Sequence, residues 1–239
     1  MKMLGRNRNE RDVNMRIGGF NKLTTQDFPG NLACIIFTSG CNFNCDYCYN
    51  RDLVESKAPE IDLEEIFSYL DERKKMLDGV VISGGEPTIW DDLIPFIERL
   101  REYGFKIKLD TNGYRPKVIK ELIDKGLVDY IAMDIKAIFN KYFKVINKQI
   151  DTDKILESIK IIKKSKVDHE FRTTIIKGIH TIEDLDKMAK LVDGDPYYLQ
   201  NFRMEDPVKD KKLEGFTEEE LKDIKEYFKG KSNVTVRYV

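Results

Sequence analysis

The chain has 239 residues, 41% of them hydrophobic and 35% charged, and its 41 basic and 42 acidic side chains leave a net charge of −1. At this length one domain with one sizeable core is the default, and the even charge balance gives no basic excess for nucleic acid. No run reaches the roughly 18 apolar residues of a membrane span, and the polar start MKMLGRNRNERD lacks the apolar stretch of a secretory signal, so a cytoplasmic protein without membrane or nucleic-acid partners is expected.

In chain order, short β-branched runs alternate with longer amphipathic segments. The strands are predicted at Leu32–Thr38, Val80–Ser83, Lys106–Thr111, Tyr130–Ile135, Glu170–Ile175 and Tyr197–Phe202, with Asn233–Tyr238 compatible with one more. The helices are predicted at Leu63–Met76, Asp91–Tyr103, Pro116–Lys125, Asp153–Ser165, Ile182–Leu191 and Glu218–Phe228. Strands separated by single helices imply a parallel sheet with right-handed crossovers. An open partial barrel and a doubly wound sheet both satisfy six βα units, and both place a site at the C-terminal ends of the strands.

The first predicted strand runs into Gly40-Cys41-Asn-Phe-Asn-Cys45-Asp-Tyr47-Cys48-Tyr49-Asn50. Three cysteines spaced C-x3-C-x2-C read as ligands of one inorganic centre. A structural zinc takes four protein ligands, and the two histidines, His169 and His180, lie far along the chain. Short cysteine runs also hold iron–sulfur clusters, and three thiolates would leave one iron of a [4Fe–4S] cluster open. A zinc knuckle completed by Cys34 or a distant histidine is the competing reading. Cys34 itself sits in the run Leu-Ala-Cys-Ile-Ile-Phe and reads as a small core residue.

Other chemistry gathers at the remaining strand ends. The second strand opens into Gly84-Gly85-Glu86-Pro87, where paired glycines would let a ligand approach the backbone. The third ends in Asp110-Thr111-Asn112-Gly113. Asp134 and Lys136 are two apart and share a face, as do Glu170, Arg172 and Thr174. The sixth ends near Gln200, Asn201 and Arg203. Any one of these could simply be a strand turning polar as it leaves the core. Together they would form a pocket suited to carboxylate, ammonium and ribose hydroxyl groups.

These motifs resemble the radical S-adenosylmethionine (SAM) superfamily: Cys41-x3-Cys45-x2-Cys48, the aromatic Tyr47 before the third cysteine, and Ser83-Gly84-Gly85-Glu86-Pro87. More narrowly the chain is similar to glycyl-radical-enzyme activases, of the group that activates anaerobic ribonucleoside-triphosphate reductase. That likeness rests on Asp27-Phe28-Pro29-Gly30, Cys48-Tyr49-Asn50, Asp110-Thr-Asn-Gly113 and Met133-Asp-Ile-Lys136. It covers roughly Ile17 to Arg203.

The resemblance implies a partial, open (βα)6 barrel: a single domain over 1–239, with an N-terminal extension 1–31, a core 32–203 and a C-terminal helix and strand 204–239. It implies one [4Fe–4S] cluster on Cys41, Cys45 and Cys48, because no further cysteines supply a second. It also implies SAM contacts from Tyr47, Cys48, Tyr49, Gly84, Gly85, Asp134, Ile135, Lys136 and Arg172. In such enzymes a flavodoxin or ferredoxin reduces the cluster, SAM is cleaved to a 5′-deoxyadenosyl radical, and a glycine Cα hydrogen is taken from a partner enzyme. The histidine that contacts SAM near the sixth strand in one activase type is absent from Leu199-Gln-Asn-Phe-Arg203, and Gln200 or Asn201 would take its place.

Three rival functions remain at this stage. The first is a small-molecule radical SAM enzyme like carboxy-deazaguanine synthase, although Asp27-Phe-Pro-Gly30 stands where a Gln-Gly-Glu-Gly type segment is usual. The second is a peptide- or cofactor-modifying maturase, which would usually carry cysteines after Cys48. The third is a zinc-binding module without catalysis.

Overall fold

The computed structural model describes residues 14–231 and 233–237. Its sheet has eight strands in the order in which they occur along the chain: β1 (Ile17–Thr24), β2 (Ala33–Thr38), β3 (Gly79–Gly84), β4 (Lys106–Thr111), β5 (Tyr130–Asp134), β6 (Asp168–Ile175), β7 (Tyr197–Asn201) and β8 (Val234–Arg237). All neighbouring pairs from β2 to β8 are parallel, and β1 is antiparallel to β2. β1 and β8 do not pair, so the barrel stays open, as expected from the sequence. The final strand corresponds to the predicted Asn233–Tyr238, whose last residue lies outside the described residues, as do 1–13 of the N-terminal extension.

The helices are α1 (Arg51–Val54), α2 (Leu63–Arg73), α3 (Leu93–Glu102), α4 (Pro116–Asp124), α5 (Tyr142–Ile146), α6 (Asp153–Lys164), α7 (Ile182–Leu191) and α8 (Glu218–Phe228). Their starts follow local rules. Asp62 caps α2 by accepting from Glu64 N, and Pro116 opens α4. Thr181 with Asp184, and Thr217 with Glu220, form reciprocal capping boxes on α7 and α8. No helix among the described residues is long and apolar enough to cross a membrane.

Alternate strand residues face opposite ways, and the two faces differ in chemistry. Outward residues such as Ile36, Ile82, Leu109, Ile131, Phe171 and Leu199 join the main apolar core with the helices. Inward, a small cluster of Phe28, Ala33, Ile35 and Val81 plugs one end of the barrel. Above it the inner face turns charged: Lys108 and Asp110 on β4, Asp134 on β5, and Glu170 and Arg172 on β6. Register places these groups side by side, with Ala132 of β5 between Asp110 and Glu170, and Asp134 beside Arg172.

β1 is the strand that sequence pattern does not reveal. Its IGGFNKLT has two glycines, which disfavour strands in isolation. The glycines answer to crowding. A Cβ on Gly18 would lie 2.5 Å from Ser39 Oγ and 2.6 Å from Leu53 Cδ2.

Candidate active site

The C-terminal ends of the strands surround a cavity of about 410 Å3, within the usual range of small-molecule sites. Cys41, Cys45, Tyr47, Cys48, Tyr49, Gly84, Gly85, Asp134, Lys136 and Arg172 all line it. Of the residues expected there, Ile135 alone is absent. Its side chain is fully buried in the helix-side core, its N–H donates to Arg172 O at 2.8 Å, and its carbonyl accepts from Thr173 Oγ1 at 2.6 Å. Strand alternation turns Ile135 away while Asp134 and Lys136 face the cavity. Cys34 is likewise buried in that core, on the far face of β2.

The cysteine loop is held from several sides. Gly40 N donates to Leu53 O at 2.7 Å, Asn44 N to Ile146 O at 3.1 Å, and Arg51 Nη2 to Asn44 Oδ1 at 2.7 Å. Tyr49 OH accepts from Arg203 N at 2.9 Å and lies 3.1 Å from Arg203 O, tying the loop to the segment after β7. Burial pushes the Cys41 thiol up to about 12 and Cys45 to about 11. Such thiols ionise only when a cation compensates for the lost water.

The paired glycines serve a purpose the sequence does not disclose. A Cβ on Gly84 would come within 2.4 Å of the Thr38 backbone, and one on Gly85 within 1.9 Å of Gly40 O. Glu86 N then donates to Gly40 O at 2.9 Å. The glycine motif therefore packs directly on the entry to the cysteine loop. Glu86, 1% exposed, links it onward: its carboxylate accepts from Thr88 N at 3.2 Å, Thr111 Oγ1 at 2.7 Å and Asn112 N at 2.6 Å. Burial raises the Glu86 pKa, against these donors.

Along the cavity floor charges alternate. Lys108 pairs with Asp110, which also accepts from Ser83 Oγ at 3.1 Å. Arg172 lies 3.6 Å from Asp110 and donates through Nε to Asp134 Oδ1 at 2.8 Å. Lys136 Nζ donates to Asp134 Oδ2 at 2.9 Å. Burial opposes the charge on Asp134, yet Arg172 and Lys136 hold its carboxyl well below the usual range. Burial likewise works against Lys136 and Arg172, and their acidic neighbours outweigh it, so both stay protonated.

Two contributors were not singled out by sequence reasoning. Lys108 is 2% exposed, and a lysine within a strand carries no signal of its own. His180 is 3% exposed. Its Nδ1 accepts from Ile176 N at 3.0 Å, which leaves Nε2–H to donate to Lys136 O at 3.0 Å. The Lys136 N–H donates to Tyr142 OH at 3.1 Å, so both backbone groups of this cavity lysine are pinned.

Residues 35–192 match the family described as the radical SAM superfamily. The chain belongs to the radical SAM superfamily. A protein of Methanocaldococcus jannaschii named a glycyl-radical enzyme activating enzyme is 38% identical over 235 residues, covering 93% of this chain and 96% of its own. A second so named from that organism is 31% identical over 191 residues, covering 74% and 73%. A 7-carboxy-7-deazaguanine synthase of Methanopyrus kandleri is 32% identical over 130 residues, 46% of this chain and 51% of that protein. The structure of QueE from Escherichia coli shares the fold with a TM-score of 0.56, covering 94% of both chains at 14% identity. The protein is thus a radical SAM enzyme of the oxidoreductase type, whose superfamily uses a [4Fe–4S] cluster and SAM.

The residues present fit those groups. The three thiols are free and line one cavity, beside charges suited to an amino-acid ligand. Among the described residues, the buried side-chain polar atoms without a partner are Asn42 Nδ2, Tyr47 OH and Arg51 Nη1. All three fall between 42 and 51, in or beside the loop that carries the cysteines. Native interiors leave few such atoms unpaired. Their concentration here is what a loop shaped around a further group would show.

Proposed function

We propose that the chain is a glycyl-radical-enzyme activase. Cys41, Cys45 and Cys48 hold a [4Fe–4S] cluster, and when bound, that cluster with SAM supplies a 5′-deoxyadenosyl radical able to take a glycine Cα hydrogen. Asp134 and Lys136 receive the amino-acid or ribose part of SAM, and Arg172 neutralises its carboxylate. Tyr47, Cys48 and Tyr49 border the adenine, and the Gly84–Gly85 turn meets the amino end. Gln200 or Asn201, both of which line the cavity, takes the place of the missing SAM-contacting histidine. The protein positions these groups and keeps water away while the cofactor performs the difficult chemistry.

The observation that carries this reading is the match along almost the whole chain to a protein named an activating enzyme, against less than half of the chain for the deazaguanine synthase. The β1 and β8 edges, which do not pair with another strand among the described residues, support it, because a glycine loop of a partner must reach the cavity from the side. The partner is a glycyl radical enzyme, with anaerobic ribonucleotide reductase as the first candidate. The electron donor is a flavodoxin or ferredoxin, and the setting is the reducing cytoplasm.

The test uses the cluster-loaded chain with SAM, dithionite and an anaerobic ribonucleoside-triphosphate reductase carrying Cα-deuterated glycine. Deuterium in the 5′-deoxyadenosine, with a lasting organic radical in the reductase, is expected. Unlabelled 5′-deoxyadenosine without that radical would move the reading to another hydrogen donor.

A further inference from the structure

The cysteine loop is clasped at the two residues that flank Cys45. On one side Asn44 N donates to Ile146 O, at the end of α5, at 3.1 Å, and Asn147 Nδ2 donates to Asn44 O at 3.3 Å. On the other, Lys209 N donates to Asp46 O at 3.1 Å, within a segment that Arg203 N also ties to Tyr49 OH. Asn44 and Asp46 are partly exposed, so the outer surface here lies one residue from a proposed iron ligand.

The two clasping segments present cations and apolar groups outward. Residues 139–150 hold three lysines and no acidic residue, in a chain whose net charge is −1. Lys144 and Lys148 are exposed and have no ion-pair partner among the described residues, whereas Lys141 pairs with Asp184. The exposed large apolar side chains among the described residues are Leu23, Met76, Phe143 and Met204. One alone is ordinary, but two of these four, Phe143 at 51% and Met204 at 42%, stand on the clasping segments. Apolar contacts within a charged rim are the composition of a protein interface. None of Phe143, Lys144, Lys148 and Met204 lines the cavity. A partner whose glycine reacts must enter the cavity. A partner that delivers only an electron has to come near the cluster and need not enter.

We propose that this outer face of the clasp docks the electron donor, a small redox protein with an acidic surface. This rests on the cluster assignment above. The docked, reduced donor loses one electron, and the centre held by Cys41, Cys45 and Cys48 gains it. Lys144 and Lys148 draw in and orient the acidic face, and Phe143 and Met204 supply the apolar contact.

The probes are an acidic flavodoxin and an acidic ferredoxin. Calorimetry with the cluster-loaded chain and each oxidised probe, at about 0.05 M salt, reads docking without turnover. Wild type should bind one of them, and more weakly as salt rises to about 0.5 M. Lys144→Glu combined with Lys148→Glu should weaken that binding at least about tenfold, and Lys144→Gln with Lys148→Gln by less. The control is Lys160→Glu with Lys164→Glu, two exposed positions on α6 toward the end of the barrel where β6 begins. It should leave the affinity within about twofold of wild type. All variants should keep the wild-type Tm and form 5′-deoxyadenosine normally with dithionite.

Wild type that binds neither probe overturns the proposal. So does an equal loss in the control, which would report net charge alone. A Lys144 and Lys148 variant that binds the probe normally but no longer installs the radical in the reductase, with dithionite as reductant, also overturns it, since the surface would then take the glycyl radical enzyme. Loaded wild type that forms no 5′-deoxyadenosine with dithionite would overturn the radical SAM reading and this proposal with it, whereas the outcomes above leave that reading standing.

Discussion

Gly85 and Gly40 touch backbone to backbone: a Cβ on Gly85 would sit 1.9 Å from the Gly40 carbonyl oxygen. This contact joins the glycine motif to the cysteine loop. Gly85→Ala must push the two apart, because the obstacle is main chain and cannot rotate away. Overpacking of this kind costs about 1–3 kcal/mol and sometimes more. The expected result is a lower urea midpoint in the cluster-free protein together with reduced iron after reconstitution. A variant unfolding at the wild-type midpoint would show that the two motifs are not in contact.

Arg172 is the cation shared by Asp134 and Asp110. Arg172→Met leaves both carboxylates short of a partner in a mostly buried place. Each keeps one cation, Lys136 and Lys108, so the loss of stability should fall below the roughly 3–5 kcal/mol of a fully unpaired buried charge. The loaded variant should also bind SAM at least tenfold more weakly in equilibrium dialysis. SAM affinity equal to wild type would remove Arg172 from the site.

His180 gives a pH signature. Burial lowers its pKa below the ordinary value near 6.5, with the Asp184 carboxylate acting in the opposite sense and Lys141 nearby. The unfolded chain therefore binds a proton that the folded chain resists. Stability is full above about pH 6.5 and falls as pH drops below that value. Protonation would also turn Nδ1–H against the Ile176 N–H that it now accepts. Denaturant midpoints measured from pH 7.5 to 5 should decline more steeply for wild type than for His180→Gln. Parallel slopes would contradict the placement.

The repeating strand and helix pattern was legible because parallel strands such as Val80-Val-Ile-Ser are apolar runs bounded by turns, and α7 and α8 carry strong start signals. β1 was hidden because Gly18 and Gly19 answer to tertiary crowding, which no local pattern reports. The charged face of the barrel was legible from two-residue spacing at Asp134 and Lys136. The same rule, carried across Ile135, would have turned that residue away from the cavity. Glu86 was read only as part of a turn. Its function as a buried acceptor joining its own turn to the end of β4 depends on contacts about 25 residues away in the chain.

The measurement that tests the account most directly is SAM cleavage by the anaerobically reconstituted protein with dithionite, wild type beside Cys48→Ala. Wild type should hold four irons per chain and form 5′-deoxyadenosine and methionine in equal amounts, while Cys48→Ala should hold no cluster and form neither. An intact four-iron cluster in wild type with no 5′-deoxyadenosine, or equal product from Cys48→Ala, would contradict it.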